Sequence, residues 1–170
     1  MSSRKIVVIG ISGTGKSTIS RKLAALAGLS LYHMDSIIWR ENWMESDDQT
    51  IQLLLEDIAD TDGWIVEGWV DEYSKAILGR ADLILYLDYP GWLALWGGLQ
   101  RWWCYRGTKR PEMPDGCNET LDLKFLQTML YRQERPHIER ILAELKPRNV
   151  LRVMSRHEVE RCLPQLVKKR

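Results

Sequence analysis

The chain has 170 residues, enough for one domain with a substantial core, and its apolar and charged fractions are those of an ordinary globular protein. It carries 24 Lys plus Arg and 23 Asp plus Glu, so its net charge is close to zero. This balance argues against a dedicated DNA-coating protein, which would usually have a clear basic excess. The net charge therefore gives no support to nucleic acid as a binding partner.

The cellular setting follows from the cysteines and from the apolar stretches. Three cysteines without a CxxC pair are typical of free thiols in a reducing compartment. No signal peptide is recognisable at the start. The most apolar stretch, residues 84–99, contains an aspartate, a proline and a glycine pair, so it is a poor membrane span. We therefore expect a soluble, cytoplasmic protein without a membrane partner.

Short apolar runs alternate with amphipathic segments along the chain, which predicts a mostly parallel sheet with helices on both faces in a single domain, residues 1–170. Strands are predicted at residues 6–9, 31–34, 64–66, 81–87 and 149–154. Helices are predicted at residues 16–27, 47–59, 90–105 and 121–145, with a kink or break at Pro136. A last helix starts at the Ser155 and Glu158 capping box, and Pro164 is expected to end it early.

The first strand and first helix flank a phosphate-binding pattern. Residues 10–17 read Gly-Ile-Ser-Gly-Thr-Gly-Lys-Ser, a full match to GxxxxGK[ST]. Glycine allows the backbone to wrap around an anion, and N–H groups at a helix N-terminus attract it. A glycine-rich turn that binds nothing is the plainer alternative. We expect ATP or a similar nucleotide to contact Gly10, Ser12, Gly13, Thr14, Gly15, Lys16, Ser17 and Thr18.

Two residues of this loop have further predicted roles in the chemistry. Lys16 is expected to bridge the β- and γ-phosphates as a catalytic residue, and the Ser17 hydroxyl is expected to bind Mg²⁺. Acids at strand ends are the other candidates, because ligands of such sheets lie beyond the carboxyl ends of the strands. Asp35 and Glu67 could hold a metal-bound water or orient an acceptor, and Asp35 could be a general base. Asp88 is interpreted as structural.

The region for an acceptor molecule is expected to lie near these acids. Trp39 follows Asp35 and Trp69 follows Glu67, so either indole could stack on a flat ring or simply cover the sheet. The predicted acceptor-binding residues are Asp35, Trp39, Arg40, Glu67, Lys75, Arg132 and Arg135. Four other tryptophans, Trp92, Trp96, Trp102 and Trp103, share one helix and are interpreted as core or a contact surface.

A loop at about residues 107–118 is predicted to be a lid. It contains two glycines, two prolines and mixed charges between two helices. Phosphoryl transfer requires positive charge at the transferring group and exclusion of water. Arg106 and Arg110 open this segment and are predicted to be catalytic lid residues. Ordinary surface arginine is the alternative for both.

The chain resembles the bacterial topology-modulation proteins, also called FlaR-type proteins, within the adenylate kinase-like P-loop kinases. The resemblance rests on the phosphate loop, Tyr32-His33-Met34-Asp35 with Trp39, Trp64-Ile65-Val66-Glu67-Gly68, Arg106-Gly-x-x-Arg110-Pro111 and Ser155-Arg156-x-Glu158-Val159. It implies a three-layer α/β P-loop NTPase fold with a five-stranded parallel sheet in adenylate kinase-like order, an ATP site and a lid. Related sequences tend to have Asp-Gly-Asn after the third strand, where this chain has Glu67-Gly68-Trp69.

Two functions follow as hypotheses. The first is an ATP- and Mg²⁺-dependent phosphotransferase acting on a small acceptor. A nucleoside monophosphate would be clamped by Arg40, Lys75 or Arg132, whereas a hydroxyl compound would use Asp35 as base. The shortage of basic residues near the acceptor tilts the choice towards a hydroxyl compound or an unusual nucleotide. The second hypothesis is a nucleotide-binding regulator of DNA topology, suggested by the basic end, residues 168–170, and the tryptophan helix. The oligomeric state is not indicated.

Overall fold

The computed structural model describes residues 4–167, which form a three-layer α/β fold. The strands are β1 (Lys5–Gly10), β2 (Ser30–His33), β3 (Trp39–Arg40), β4 (Met44–Glu45), β5 (Trp64–Gly68), β6 (Leu83–Leu87) and β7 (Val150–Val153). The helices are α1 (Lys16–Ala27), α2 (Met34–Ile38), α3 (Asp48–Asp60), α4 (Lys75–Arg80), α5 (Gly91–Tyr105), α6 (Leu123–Leu130), α7 (Arg135–Leu145) and α8 (Arg156–Val167).

Five strands pair in parallel in the order β2-β5-β1-β6-β7, which confirms the predicted sheet. The first strand, β1, is central, with β5 and β6 on its two sides. The carboxyl ends of these strands therefore meet at one edge, where the loop after β1 lies between the loops after β5 and β6. This order places the residues after β1 at the switch point of the sheet.

The core lies in two layers, one on each face of the sheet. Side chains alternate along a strand, so Val7 and Ile9 face one layer while Ile6 and Val8 face the other. The Val7 layer is closed by buried residues of α3, α4 and α7, and the Ile6 layer by those of α1 and α8. Both faces are buried, which explains why the strand sequences are continuous apolar runs.

The predicted long helix at residues 121–145 is two helices in the structure. The chain turns at residues 131–134, where Arg132 has a φ of 55°, and α7 has Pro136 in its first turn. Proline fits there because the first N–H groups of a helix have no intrahelical partner. The prediction of a break is confirmed, but Arg132 lies in the turn and not on a helix face. Pro164 does not end α8, which continues to Val167, so that prediction is wrong.

A short antiparallel ribbon, β3 and β4, was not predicted from the sequence. A 3₁₀ turn at Glu41–Trp43 joins the two strands, and Asn42 and Trp43 both have positive φ. The ribbon packs against the segment after α5: Asn42 N donates to the carbonyl of Asp115 at 3.0 Å, and Cys117 Sγ lies 3.3 Å from the carbonyl of Arg40. The ribbon thus supports the segment predicted to be a lid.

Within residues 4–167, none of the helices has the combination of length and apolar character needed to span a bilayer. The basic residues 168–170 lie outside the described residues.

Candidate active site

The loop between β1 and α1 has the backbone shape expected of a phosphate cradle. Gly13 and Gly15 have φ of 81° and 85°, a left-handed conformation that side chains with a Cβ rarely adopt. Gly15 is also the N-cap of α1, so the first free N–H groups of the helix follow it directly. Thr14 is buried and its hydroxyl donates to the carbonyl of Ile11 at 2.8 Å, which closes the loop on itself.

Helix α5 supports this loop through very close backbone contact. A Cβ built on Gly13 would lie 2.1 Å from the carbonyl oxygen of Ala94, and one built on Gly97 would lie 2.0 Å from the carbonyl oxygen of Gly13. Only glycine fits at both positions. The loop is therefore seated on α5, which the sequence did not reveal because the contact joins distant segments.

Lys16 lies at the mouth of the loop. Its ammonium group donates to the carbonyl oxygens of Gly10 at 3.0 Å and Ile11 at 3.2 Å. No acidic side chain within residues 4–167 forms an ion pair with it. Neutral carbonyl partners leave its charge uncompensated, so the group can donate hydrogen bonds to a phosphate oxygen.

The carboxylate of Glu134 also holds the loop in place, through Ser12. It accepts from the backbone N–H of Ser12 at 2.6 Å and from the Ser12 hydroxyl at 2.9 Å, and it is buried. Glu134 lies in the turn between α6 and α7, more than 100 residues away in sequence. Sequence reasoning missed this residue, because nothing in its local pattern distinguishes it from a surface glutamate.

The loop opens into a cleft of about 1000 Å³. The predicted residues that line it are Ser12, Gly13, Thr14, Gly15, Lys16, Ser17, Thr18, Asp35, Glu67 and Arg110. Gly10 is not among them and packs against the carbonyl of Leu87 at the base of the loop. The structure therefore brings most of the predicted phosphate residues together with both predicted acids.

Glu67 is buried at the end of β5, beside the end of β2. Its Oε1 lies 2.5 Å from Nδ1 of His33, and the two residues face each other in the parallel register. A carboxylate at this distance orients the imidazole and is itself held in place. His33, interpreted from the sequence as structural, is the partner that positions Glu67.

Asp35 contacts the predicted lid. It lies at the start of α2 with about a third of its side chain exposed, and its Oδ2 accepts from Arg110 at 3.0 Å. Arg110 is buried and also lies 2.7 Å from Glu119 and 3.6 Å from Glu112. Burial opposes the charge of this guanidinium, but the carboxylates of Asp35 and Glu119 outweigh it and raise the pKa of Arg110.

Arg101 is a further cation of the cleft that the sequence did not single out. It lies on α5, 3.2 Å from the same Oε1 of Glu119 that contacts Arg110. Burial lowers the pKa of Arg101, with Glu119 opposing the shift. Arg106, predicted to be a lid residue, does not line the cleft. It is exposed and its guanidinium stacks on Trp103, 4.2 Å from the ring centroid.

The remaining predicted acceptor residues lie outside the cleft lining. Arg40 pairs with Asp47 at 3.0 Å on the surface, and Lys75 pairs with Glu72 at 2.6 Å and Glu144 at 2.8 Å. Trp39 packs edge-to-face on Trp43, with ring centroids 5.5 Å apart.

Arg132 and Arg135 converge on Asp88 at the end of β6. Arg132 forms an ion pair with this carboxylate, and Arg135 Nε lies 3.1 Å from it. Arg152 of β7 approaches the same group at 3.5 Å. Asp88 is almost fully buried, so it anchors the turn before α7 to the sheet. Its interpretation as a structural residue agrees with these contacts.

Several aromatic residues line the cleft. Trp96, Trp102 and Trp103 of α5 do so, and Trp96 and Trp103 are more than half exposed. Trp69 also lines the cleft and stacks in parallel on His137, with ring centroids 5.8 Å apart. The α5 tryptophans are therefore mainly part of the cleft wall and not of the core.

Comparison of the sequence with protein-family models and with curated proteins gives no match. Solved structures do match along the whole chain. A shikimate kinase from Acinetobacter baumannii, in complex with shikimate, aligns at a TM-score of 0.64 and 17% identity over 98% of this chain and 92% of that chain. A gluconokinase from Sinorhizobium meliloti 1021 aligns at a TM-score of 0.58 and 18% identity over 98% of this chain and 94% of that chain.

These comparisons establish the fold. A second shikimate kinase, from Bacteroides thetaiotaomicron, aligns at a TM-score of 0.61 and 12% identity over 96% of each chain. The chain has the P-loop fold of small-molecule kinases, with the sheet order expected of an adenylate kinase-like protein. The neighbours give no support to the more specific resemblance to topology-modulation proteins.

Proposed function

We propose that the protein is an ATP-dependent phosphotransferase that transfers the terminal phosphoryl group of ATP to a small metabolite. One observation carries the proposal: the left-handed glycine loop at the start of α1 and the two strand-end acids, Asp35 and Glu67, line the same cleft. The loop can hold a polyphosphate, and the acids lie where a second substrate would meet it.

The polyphosphate is held by main-chain and side-chain donors of α1. The N–H groups after Gly15 point out of the helix start, where the helix dipole adds partial positive charge. Lys16 exchanges its bonds to the Gly10 and Ile11 carbonyls for phosphate oxygens. A fixed cation at the transferring group stabilises the charge that develops there.

Mg²⁺ fits the oxygen groups of this cleft. The Ser17 hydroxyl lines it together with the carboxylates of Asp35 and Glu67, and Mg²⁺ usually takes only one or two protein oxygens besides phosphates and waters. Ser17 would hold the ion, and one of the acids would hold a bound water. When bound, Mg²⁺ neutralises charge on the phosphate oxygens.

Asp35 is the proposed general base for a hydroxyl acceptor. The acceptor oxygen forms a bond to the γ-phosphorus, the bond from that phosphorus to the bridging oxygen of ADP breaks, and Asp35 takes the hydroxyl proton. Arg110 already contacts Asp35 at 3.0 Å, so the predicted lid places a cation beside the reacting groups. Arg110 is the proposed lid arginine, whereas Arg106 stacks on Trp103 at the cleft rim.

The proposal is tested by following ATP consumption across pools of small acceptors. Wild-type protein should consume ATP above its rate with water for at least one pool. Lys16→Ala should lower kcat/KM for ATP on the order of 100-fold, because one fixed cation at the transferring phosphate is lost. The matched control is Lys124→Ala, which removes an exposed lysine on α6 outside the cleft lining.

Two results would contradict the proposal. One is a turnover that no acceptor pool raises above the water background. The other is a Lys16→Ala protein with unchanged ATP affinity and turnover. A role in DNA topology is not favoured by any observation on residues 4–167, and the α5 tryptophans that suggested a contact surface mostly line the cleft.

A further inference from the structure

We infer that the acceptor is a hydroxyl compound without a carboxylate or phosphate group: a neutral sugar, polyol or nucleoside. The inference rests on the proposed function and deepens it, because it concerns the second substrate of the same cleft. It follows from two observations. The arginines and lysines near the cleft are mostly paired with carboxylates, and the side chains at the end where the acceptor would bind are carboxylates and an indole.

The four cations among the predicted acceptor-binding residues are engaged elsewhere. Arg40 and Lys75 pair with surface carboxylates, and neither residue lines the cleft. Arg132 and Arg135 both pair with the buried Asp88, whose charge would be left uncompensated if they moved away. None of the four is available to neutralise a substrate anion in this arrangement.

The cations at the lid end of the cleft are already neutralised. Arg110 contacts three carboxylates, those of Asp35, Glu112 and Glu119, and Arg101 shares the Glu119 carboxylate. Glu112 also pairs with Arg21, a cleft residue 3.4 Å away, so three carboxylates face three guanidinium groups. A substrate anion placed there would find no uncompensated cation in a partly desolvated site, where an unpaired charge is costly.

The uncompensated cations of the cleft lie at its nucleotide end. Among the cleft residues that the structure describes, Lys16 and Arg156 have no acidic partner. Lys16 belongs to the phosphate loop, and Arg156 begins α8, a helix packed beside α1. Their charges are placed for the polyphosphate of the nucleotide, which needs them, and leave none for a second anion.

The end of the cleft where the second substrate would bind offers hydrogen-bond acceptors and an aromatic surface. The carboxylates of Asp35 and Glu67 accept hydrogen bonds from hydroxyl groups and offer no donor to a substrate carboxylate or phosphate. Trp69 lines the cleft beside Glu67 and is braced by its stack on His137. A flat indole next to two hydrogen-bond-accepting carboxylates suits a compact molecule with an apolar face and several hydroxyl groups.

The test compares neutral acceptors with acids of the same skeleton, using the full chain with saturating ATP and Mg²⁺. The probes are D-glucose against D-gluconate, D-ribose against ribose 5-phosphate, and thymidine against thymidine 5′-monophosphate, extended by pools of sugars, polyols and nucleosides. We expect at least one neutral member to be phosphorylated, with kcat/KM about 100-fold above that of its acid, because like charges at close range disfavour the anion.

A variant separates charge from shape. Glu112→Gln keeps the side-chain outline but removes one carboxylate beside Arg110, which is 3.6 Å away, and Arg21, which is 3.4 Å away. It should narrow the ratio between neutral and acidic acceptors several-fold. The control Glu56→Gln, on α3 and outside the cleft lining, should leave the ratio unchanged. An unchanged ratio in Glu112→Gln would contradict the charge argument.

The outcomes distinguish this inference from the proposed function. Faster phosphorylation of an acid than of its neutral partner overturns the inference and leaves the kinase proposal intact. The inference also fails if no neutral compound is phosphorylated or bound while ATP binding still depends on Lys16. ATP binding that does not depend on Lys16 overturns the proposed function itself.

Discussion

Glu134 shows how one distant side chain can set the geometry of the phosphate loop. Its carboxylate accepts two bonds from Ser12, one from the backbone N–H and one from the hydroxyl. Neither group is on α1, so the loop is braced on the side away from the helix that it starts. This places the turn between α6 and α7 in direct contact with the proposed nucleotide site.

We expect Glu134→Gln to lower the free energy of unfolding by about 2 kcal/mol, because a charged acceptor of two partly buried hydrogen bonds is replaced by an amide that can accept at only one atom. Urea denaturation of the variant and of wild-type protein measures the change. The control is Glu56→Gln, which alters an exposed bond to Gln52. Equal stability of the Glu134 and Glu56 variants would contradict the brace.

Gly13 provides a second prediction at the residue scale. Gly13→Ala should destabilise the fold by about 3 kcal/mol, since the added Cβ meets the Ala94 carbonyl at 2.1 Å and the φ of 81° is itself strained. Gly107→Ala is the matched control, because Gly107 has a φ of 72° and nothing within 4 Å of its built Cβ. It should cost about 1 kcal/mol. Similar losses, measured by thermal unfolding, would argue against the tight seat of the loop on α5.

At the scale of elements, the N-terminus of α3 has a pH-sensitive cap. The Thr50 hydroxyl donates to Asp47 at 2.7 Å and its backbone N–H at 2.9 Å, and these bonds lower the pKa of the Asp47 carboxyl. A lowered folded-state pKa means that the contribution to stability is present above the unfolded-state pKa and is lost as the pH falls through the folded-state value.

We therefore expect Asp47→Ala to be less stable than wild-type protein at neutral pH, with a gap that closes as the pH falls below the lowered pKa of Asp47. Urea denaturation at a series of pH values measures this gap. Asp62→Ala removes an exposed carboxylate with no hydrogen bond among the described residues and should show no such dependence. A gap that widens on acidification would contradict the cap.

The elements themselves were largely predictable from the sequence, because buried parallel strands are continuous apolar runs and α1 is flanked by Gly15 and Gly28. Two features were not predicted from the sequence. The β3–β4 ribbon has strands of two residues and depends on positive φ at Asn42 and Trp43, which no periodicity encodes. Pro164 stays within α8, so a local breaker signal was overridden by packing of buried Leu163 and Leu166 against the sheet.

The candidate site was predictable only in part, because many of its contacts join residues that are distant in the sequence. The phosphate loop is one contiguous segment, so its residue types and spacing are visible in the sequence. The partners of Arg132 and Arg135 are not visible in the sequence, since Asp88 follows β6 whereas the two arginines lie in the turn before α7 and at its first residue. Glu134 and Arg101 were missed because their partners lie in other elements.

At the scale of the whole molecule, Asp88 joins the sheet to the turn before α7. Asp88→Asn should lower the free energy of unfolding by about 3 kcal/mol, because it leaves the charges of Arg132, Arg135 and Arg152 without their buried partner. The control Asp60→Asn breaks an exposed pair with Arg80 and should cost about 0.5 kcal/mol. Equal costs for the two variants in urea denaturation would show that Asp88 is not an anchor.

The central claim is that main-chain N–H groups between β1 and α1 capture the polyphosphate of ATP. A crystal structure of the protein with a nonhydrolysable ATP analogue tests it most directly. We expect the β- and γ-phosphates within hydrogen-bond distance of the N–H groups of residues 13–18 and of Lys16 Nζ. An analogue bound elsewhere in the molecule, with this loop empty, would contradict the account.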